Sequence, residues 1–299
     1  MATLRELKGR IGSVASSEKI TGAMKMISSA KMHKAESELR RQEPFRASIQ
    51  AIIQSLVSAN ADISSPLLDV PEVKNLTILV WGSDEGLCGA YNVNIYKQLI
   101  RNITSLREEY GGDVNITIIP IGCKIQKICS KIKSATITVS PEEGLDAKAG
   151  QDRINSLHKK LINSFLTGKT DRIEMLYMHF RSISRQTITM ETMLPIRSDN
   201  FNADGKEEKD AGTAILPDYI FEPDTNSVLQ TALPLFLLST VTEIFTQNRA
   251  SQQAARVMAM QSANDNAKKL LEQLRLEFNK LRQQSITTEL LDIVGGQIR

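Results

Sequence analysis

Residues 250–281 read ASQQAARVMAMQSANDNAKKLLEQLRLEFNKL, and their spacing decides the fold. Ala250, Gln253, Val257, Met260, Asn264, Ala267, Leu271, Leu274, Phe278 and Leu281 step by 3, 4, 3, 4 without a break. Eight of these ten are apolar, so the stretch reads as a coiled-coil seam, with Gln253 and Asn264 as polar members that set register. The helical pattern spans 225–293, with Pro234 in its first turns. At ~1.5 Å per residue that helix is roughly 100 Å long, more than a compact domain of this mass can bury. It requires a partner helix.

The other long helical pattern lies at the opposite end of the chain. Leu4, Leu7, Ile11 and Val14 open a helix expected over 3–58, and Ile49, Ile52, Ile53 and Leu56 resume its apolar stripe after Pro44. Pro44 is expected to kink this helix or to start a new segment. The two helices are expected to pair antiparallel, with everything between them inserted at the side of the rod. The C-terminal helix is the longer of the two, so its tip, NKLRQQSITTELLDIVGGQIR (279–299), is expected to outrun its partner. The strict seam ends there, because the next two positions are Ser285 and Thr288. Such a tip needs housing by another protein, or it frays.

Between the helices the period changes. NLTILVWG (75–82), VNITIIPIG (114–122) and SATITVS (134–140) read as strands and alternate with helices at 91–109, just after 122, and at 146–167. DRIEMLYMHF (171–180) and QTITMETMLPI (186–196) read as an antiparallel hairpin. The fold class is therefore α/β, a mostly parallel Rossmann-like sheet inserted into a long antiparallel helical coiled coil. The units are 1–58, 59–224 and 225–299, with a linker at 60–75 and a polar loop at 197–214.

Charge is uneven over the 299 residues. Residues 1–41 carry nine Lys/Arg against four acids, and residues 249–299 carry eight against five. The basic ends could meet nucleic acid, anionic lipid or an acidic protein surface, and nucleic acid is the weaker of these because no aromatic or glycine-rich binding module accompanies them. Three cysteines without a CxxC pair fit a reducing compartment rather than a disulfide framework. No run approaches 18 uninterrupted apolar residues, and the N-terminus has no apolar signal core, so neither a membrane span nor a removable leader is expected.

WGSDEGLCGAYN (81–92) is the one stretch that resembles an active-site turn. Its glycines, Gly82, Gly86 and Gly89, do not follow GxGxxG, and no GK[ST] follows them. The second strand ends in Gly-Cys-Lys, without the acid a dinucleotide site uses. A nucleophilic Cys88 would need a positioned histidine, and only His33, His158 and His179 exist. No catalytic, cofactor-binding or metal-ligating residue is expected. A stand-alone α/β enzyme or a scaffold with coiled-coil arms is the alternative reading.

Three motifs in order then resemble one family, the γ subunits of bacterial F-type ATP synthases. They are KITGAMKMISSAKM (19–32), SDEGLCGAYN (83–92), and RVMAMQSANDNA (256–267) with NKLRQQSITTELLDIVGG (279–296). The resemblance runs from end to end. It implies a non-catalytic rotor shaft at the cytoplasmic face of the inner membrane. Its implied partners are a ring of α and β subunits, an ε subunit and a membrane c-ring, with no nucleic acid. It implies ring contacts for Met24, Arg256, Arg282, Gln283 and Thr287. Gln252 departs from a common acid, and Glu85 from a common Lys or Arg, so an ion pair or basic contact from those positions is not carried over.

Overall fold

The computed structural model describes residues 3–58, 65–132, 134–142, 144, 145, 149–196 and 221–296. The expected polar loop at 197–214 and the first residues of the expected linker lie outside them.

Helix α1, Leu4–Ser58, begins with a reciprocal cap. The Glu6 N–H donates to Thr3 Oγ1 at 3.3 Å, and the Thr3 N–H donates to Glu6 Oε2 at 2.8 Å. The helix runs through Pro44 without a break, so this proline neither starts a new segment nor ends the old one. Helix α5, Thr225–Gly296, starts where Asp224 accepts the Ser227 N–H at 2.9 Å. It carries Pro234 ten residues in.

The two helices pair antiparallel. Arg46 pairs with Glu243, Arg249 Nη1 lies 3.1 Å from Glu38 Oε2, and Asn264 Nδ2 donates to the Glu18 carbonyl at 2.7 Å. As the α1 number falls, the α5 number rises. The α5 stripe faces inward as its spacing requires: Ala250, Gln253, Val257, Met260, Asn264, Leu271 and Leu274 are buried, while Phe278 and Leu281 are half-buried. On α1 a matching stripe of 3.5-residue period runs Leu7, Ile11, Val14, Glu18, Thr21, Lys25, Ser28, Met32, Ala35, Leu39, Gln42, Arg46, Ile49, Ile53, Leu56, and none of these is exposed.

Between the helices lies a five-stranded sheet: β1 (Asn75–Trp81), β2 (Asn115–Ile121), β3 (Ile137–Val139), β4 (Arg172–Phe180) and β5 (Gln186–Leu194). The order is β3-β2-β1-β4-β5, parallel except for β5, which pairs antiparallel to β4. Crossovers are α2 (Tyr91–Tyr110), α3 (Cys123–Cys129) and α4 (Gln151–Leu166).

Side chains of β1 alternate between the two faces. Leu76, Ile78 and Val80 pack with Ile95, Leu99 and Ile103 of α2 and Ile125 of α3. Leu79 and Trp81 pack on the other side with Leu157 and Leu161 of α4, Phe236, Val241 and Phe245 of α5, and Ile53 and Leu56 of α1. The central strands β1 and β4 are therefore buried on both faces, as in parallel sheets, while most of the edge strands β3 and β5 is half-buried or exposed. This placement also accounts for the start of α5, which is apolar enough over 18 residues to cross a membrane by length and composition. In this fold Leu229, Leu233, Phe236, Leu237, Val241, Ile244 and Phe245 of that segment are core residues.

Candidate functional site

In a doubly wound sheet, ligands enter the crevice at the C-terminal strand ends where the crossovers change direction. Here that point is the end of β1, flanked by β2 and β4. Helix α5 fills it. Asn248 Nδ2 donates to the Gly82 carbonyl at 2.9 Å, and Ser251 Oγ donates to the Met178 carbonyl at 2.8 Å. Tyr91 Oη donates to Asn248 Oδ1 at 2.7 Å. Burial, with the Cys88 thiol beside it, pushes the Tyr91 phenol well above its ordinary range, so it stays a donor.

The backbone of 82–90 explains its glycines. A Cβ on Gly82 would stand 2.4 Å from Ile125 Cβ, and Gly89 has a φ of 60°. Cys88 is 5% exposed, with Ser83 Oγ at 3.6 Å and Asn92 Nδ2 at 3.8 Å. Among the described residues, no histidine is hydrogen-bonded to Cys88. What the loop offers chemically is a rigid turn, and the crevice beside it is occupied by the chain's own helix.

Arg256 is 3% exposed. Its Nε donates to the Gly86 carbonyl at 3.2 Å, Nη1 to Gln253 Oε1 at 2.8 Å and Nη2 to the Glu85 carbonyl at 3.4 Å. The Glu85 carboxylate lies 3.8 Å away. The resemblance gives Arg256 a ring contact, but in this chain its guanidinium faces inward and fastens the 83–90 loop to α5. Gln253 likewise serves Arg256, whereas Asn264 spans the two helices, reaching both the Glu18 carbonyl and Thr21 Oγ1. Gly22 makes room for it: a Cβ there would lie 3.3 Å from Asn264 Nδ2.

The other expected contact residues lie outward. Met24 is half-buried on α1, and Arg282, Gln283 and Thr287 are exposed on the α5 tip. Among the described side chains of α5 none beyond Ser285 is buried: Ile286, Leu290, Leu291, Ile293 and Val294 are 46–66% exposed. Further along the rod Ile20, Met26 and Ile27 are exposed, while Met32 is core. Eight of the nine Lys/Arg in residues 1–41 are exposed and Lys25 is half-buried, so the positive charge is at the surface. Asn248, Ser251 and Tyr91 escape a reading of spacing alone. The signal for the first two is a pair of polar residues on an α5 face that the seam does not use.

One buried charge pair lies apart from this joint. Arg172 Nε is 2.6 Å from Glu174 Oε1, and its other nitrogens reach Tyr110 Oη and Thr192 Oγ1, each at 2.9 Å. Burial lifts the Glu174 carboxyl above its ordinary value despite Arg172. With every arm satisfied, the pair ties β4 to α2 and β5 and presents no open reacting group.

The family model described as ATP synthase matches residues 3–297. The ATP synthase gamma chain of Bacteroides thetaiotaomicron is 37% identical over 302 residues, covering 100% of both chains. That of Phocaeicola vulgatus is 39% identical over 301 residues, again covering 100% of each. Among solved structures, a chain of the Euglena gracilis mitochondrial ATP synthase OSCP/F1/c-ring assembly superposes with a TM-score of 0.64 at 19% identity, covering 98% of this chain and 93% of that one. A chain of the Tetrahymena thermophila mitochondrial central stalk and c-ring gives 0.53 at 19% identity, covering 82% and 99%.

Proposed function

The chain belongs to the ATP synthase family, among its gamma chains, and from that premise we infer how its rod and sheet act as the central rotor shaft. As a gamma chain it is a rotor subunit, not itself catalytic, in a peripheral, membrane-associated complex. Its partners are the α and β subunits of the ring, the ε subunit and the c-ring. The bacterial relatives support a place at the cytoplasmic face of the inner membrane.

The reading rests on one observation above others: α5 outruns α1 and presents apolar side chains where no partner helix remains. The two 3.5-residue stripes wind as a left-handed coiled coil, because a strict heptad drifts around a straight helix unless the helices supercoil. The sheet packs on one flank of the helix pair, so turning the rod presents a different face to each of the surrounding subunits. Its basic α1 surface attracts acidic loops on the ring at long range. Met24 touches the ring along the rod, and Arg282, Gln283 and Thr287 touch it at the tip. Arg256 acts through the loop it holds. The units are best taken as residues 1–58 and 225–299 for the rod and 59–224 for the sheet.

Co-expression with α, β and ε subunits tests this. The chain is expected to copurify with all three, to hydrolyse no ATP alone, and to be needed for ion-coupled turnover of the complex. A cysteine at Gln284, crosslinked to a β subunit, should stop turnover if the tip is rigid against the rod below. ATPase activity of the isolated chain that disappears in Cys88→Ser would overturn the reading.

A further inference from the structure

Among the described residues, the polar links between α1 and α5 fall in two places. Near the sheet Gln42 bonds to Thr246, Arg46 pairs with Glu243 and Glu38 pairs with Arg249. From Glu38 back to the start of α1, the hydrogen bonds of Asn264 are the only described ones that join the helices. The two cores around the sheet take no described residue of α1 before Ile49 and none of α5 beyond Ala255. Towards the tip the helices therefore have only each other.

The Asn264 contact is built at the expense of stability. Its amide is 7% exposed in a seam that is otherwise nearly all apolar, and a polar seam residue fixes register at a cost in stability. Opposite it stands Gly22, in the middle of a helix, where glycine is the worse choice beside alanine. A Cβ on Gly22 would lie 3.3 Å from Asn264 Nδ2, so the amide occupies the notch that the glycine leaves. One heptad to either side, Ala15 and Ser29 are half-buried and both carry the Cβ that Gly22 lacks. The notch is not repeated along α1, and the amide has one seat. Within that seat Nδ2 donates to the Glu18 carbonyl at 2.7 Å and to Thr21 Oγ1 at 3.3 Å, and Thr21 Oγ1 donates to the Ser17 carbonyl at 2.9 Å. Two locally unfavourable residues meeting at one contact mark a place where something besides stability is being served.

What such a contact does is mechanical. When two rods lying side by side bend, their facing surfaces slide past each other unless something joins them, and a joined pair is the stiffer. Apolar burial is non-directional, so it holds the helices together more than it fixes their axial offset. A short hydrogen bond has a direction and fixes it. We propose that Asn264, seated against Gly22, is the positioning residue that stops α1 and α5 from sliding over one another between the Glu38–Arg249 pair and the tip. Rotation imposed at the sheet then reaches the tip without being lost to bending. This deepens the rotor reading and depends on it.

The test uses the complete complex carrying Asn264→Leu or Gly22→Ala. Leucine restores an apolar seam, and it orphans no acceptor, because the Glu18 carbonyl keeps the helical bond from the Gly22 N–H. Alanine improves the helix and fills the notch. Spin labels on Arg10→Cys and Glu272→Cys, exposed positions tipward of the contact, report the offset of the helices in a Cys123→Ser background that removes the one exposed native thiol among the described residues. The proposal expects three results in Asn264→Leu. The melting temperature of the full chain is equal or higher, the distance distribution between the labels in the complex is broader, and fewer ions are pumped per ATP hydrolysed. Gly22→Ala should follow it in the last two. A label distribution as narrow as the parent's overturns the assignment whatever pumping does, and so does a broadened one with parental pumping. A lower melting temperature in Asn264→Leu makes the contact an ordinary stabilising one and overturns it too. Each of these leaves the rotor intact. A parent chain that fails to assemble with the ring subunits overturns both.

Discussion

Arg256 shows how a residue's type can be read without its direction. A guanidinium that is 3% exposed must find acceptors within the fold, and three of them come from one loop and one turn of its own helix. His158 poses the opposite electrostatic problem. It sits on α4 against α5, lining a cleft of about 420 Å³ with Ile162, Leu166, Pro234, Leu235 and Leu238. Burial lowers its imidazole below the ordinary 6.5, outweighing a hydrogen bond to the Pro234 carbonyl, and Lys159 acts in the same direction as burial. The native ring therefore binds a proton less readily than the unfolded chain does. Its contribution to stability is complete above about pH 6.5 and falls as pH drops through that value towards the lower native one. Thermal melts at pH 7.5 and 5.5 should show a loss on acidification that is smaller in His158→Gln than in the parent.

At the scale of elements, the two long helices were unequally legible. The α5 seam is nearly all apolar, and its period alone forecast which side faces inward. The α1 stripe keeps the same period across fifteen positions, but Glu18, Lys25, Gln42 and Arg46 occupy four of them, so hydrophobic patterning finds only its two ends. Long side chains at such positions cover apolar surface with their stems and carry their charge to the edge. The strands and crossovers were legible because β-branched runs alternate with helical ones. The filling of the sheet crevice by Asn248 and Ser251 was not, since it depends on how α5 lies across β1 and β4. Burial grades the seam. Leu274 is 2% exposed, so Leu274→Ala should cost about 2–5 kcal/mol, whereas half-buried Phe278 near the end of the partner helix should lose less than its size suggests. Chemical denaturation of the two variants would rank them; equal losses would argue against the register.

For the whole molecule, the exposed apolar side chains of the tip are a liability until a partner covers them. Removing residues 283–299 should leave the melting temperature of the isolated chain within error and reduce its self-association, measured by light scattering. The same truncation should weaken retention of the chain in the complex. A large drop in melting temperature would mean that the tip folds back onto the rod.

The pairing of the two ends also has a consequence in time. Glu18 and Asn264, joined by one hydrogen bond, are 246 residues apart in sequence. At the usual pace of synthesis the acceptor leaves the ribosome roughly 10–50 s before its donor exists. Throughout that interval most of α1 is a newborn helix without its partner helix, with only its C-terminal turns near the sheet. The sheet can close first, since its strands are contiguous in the chain, and it then waits, tethered to an unmatched arm. The α5 residues that complete α1 are made late, so a transcript cut before them should leave α1 to holding chaperones rather than give a shorter working shaft.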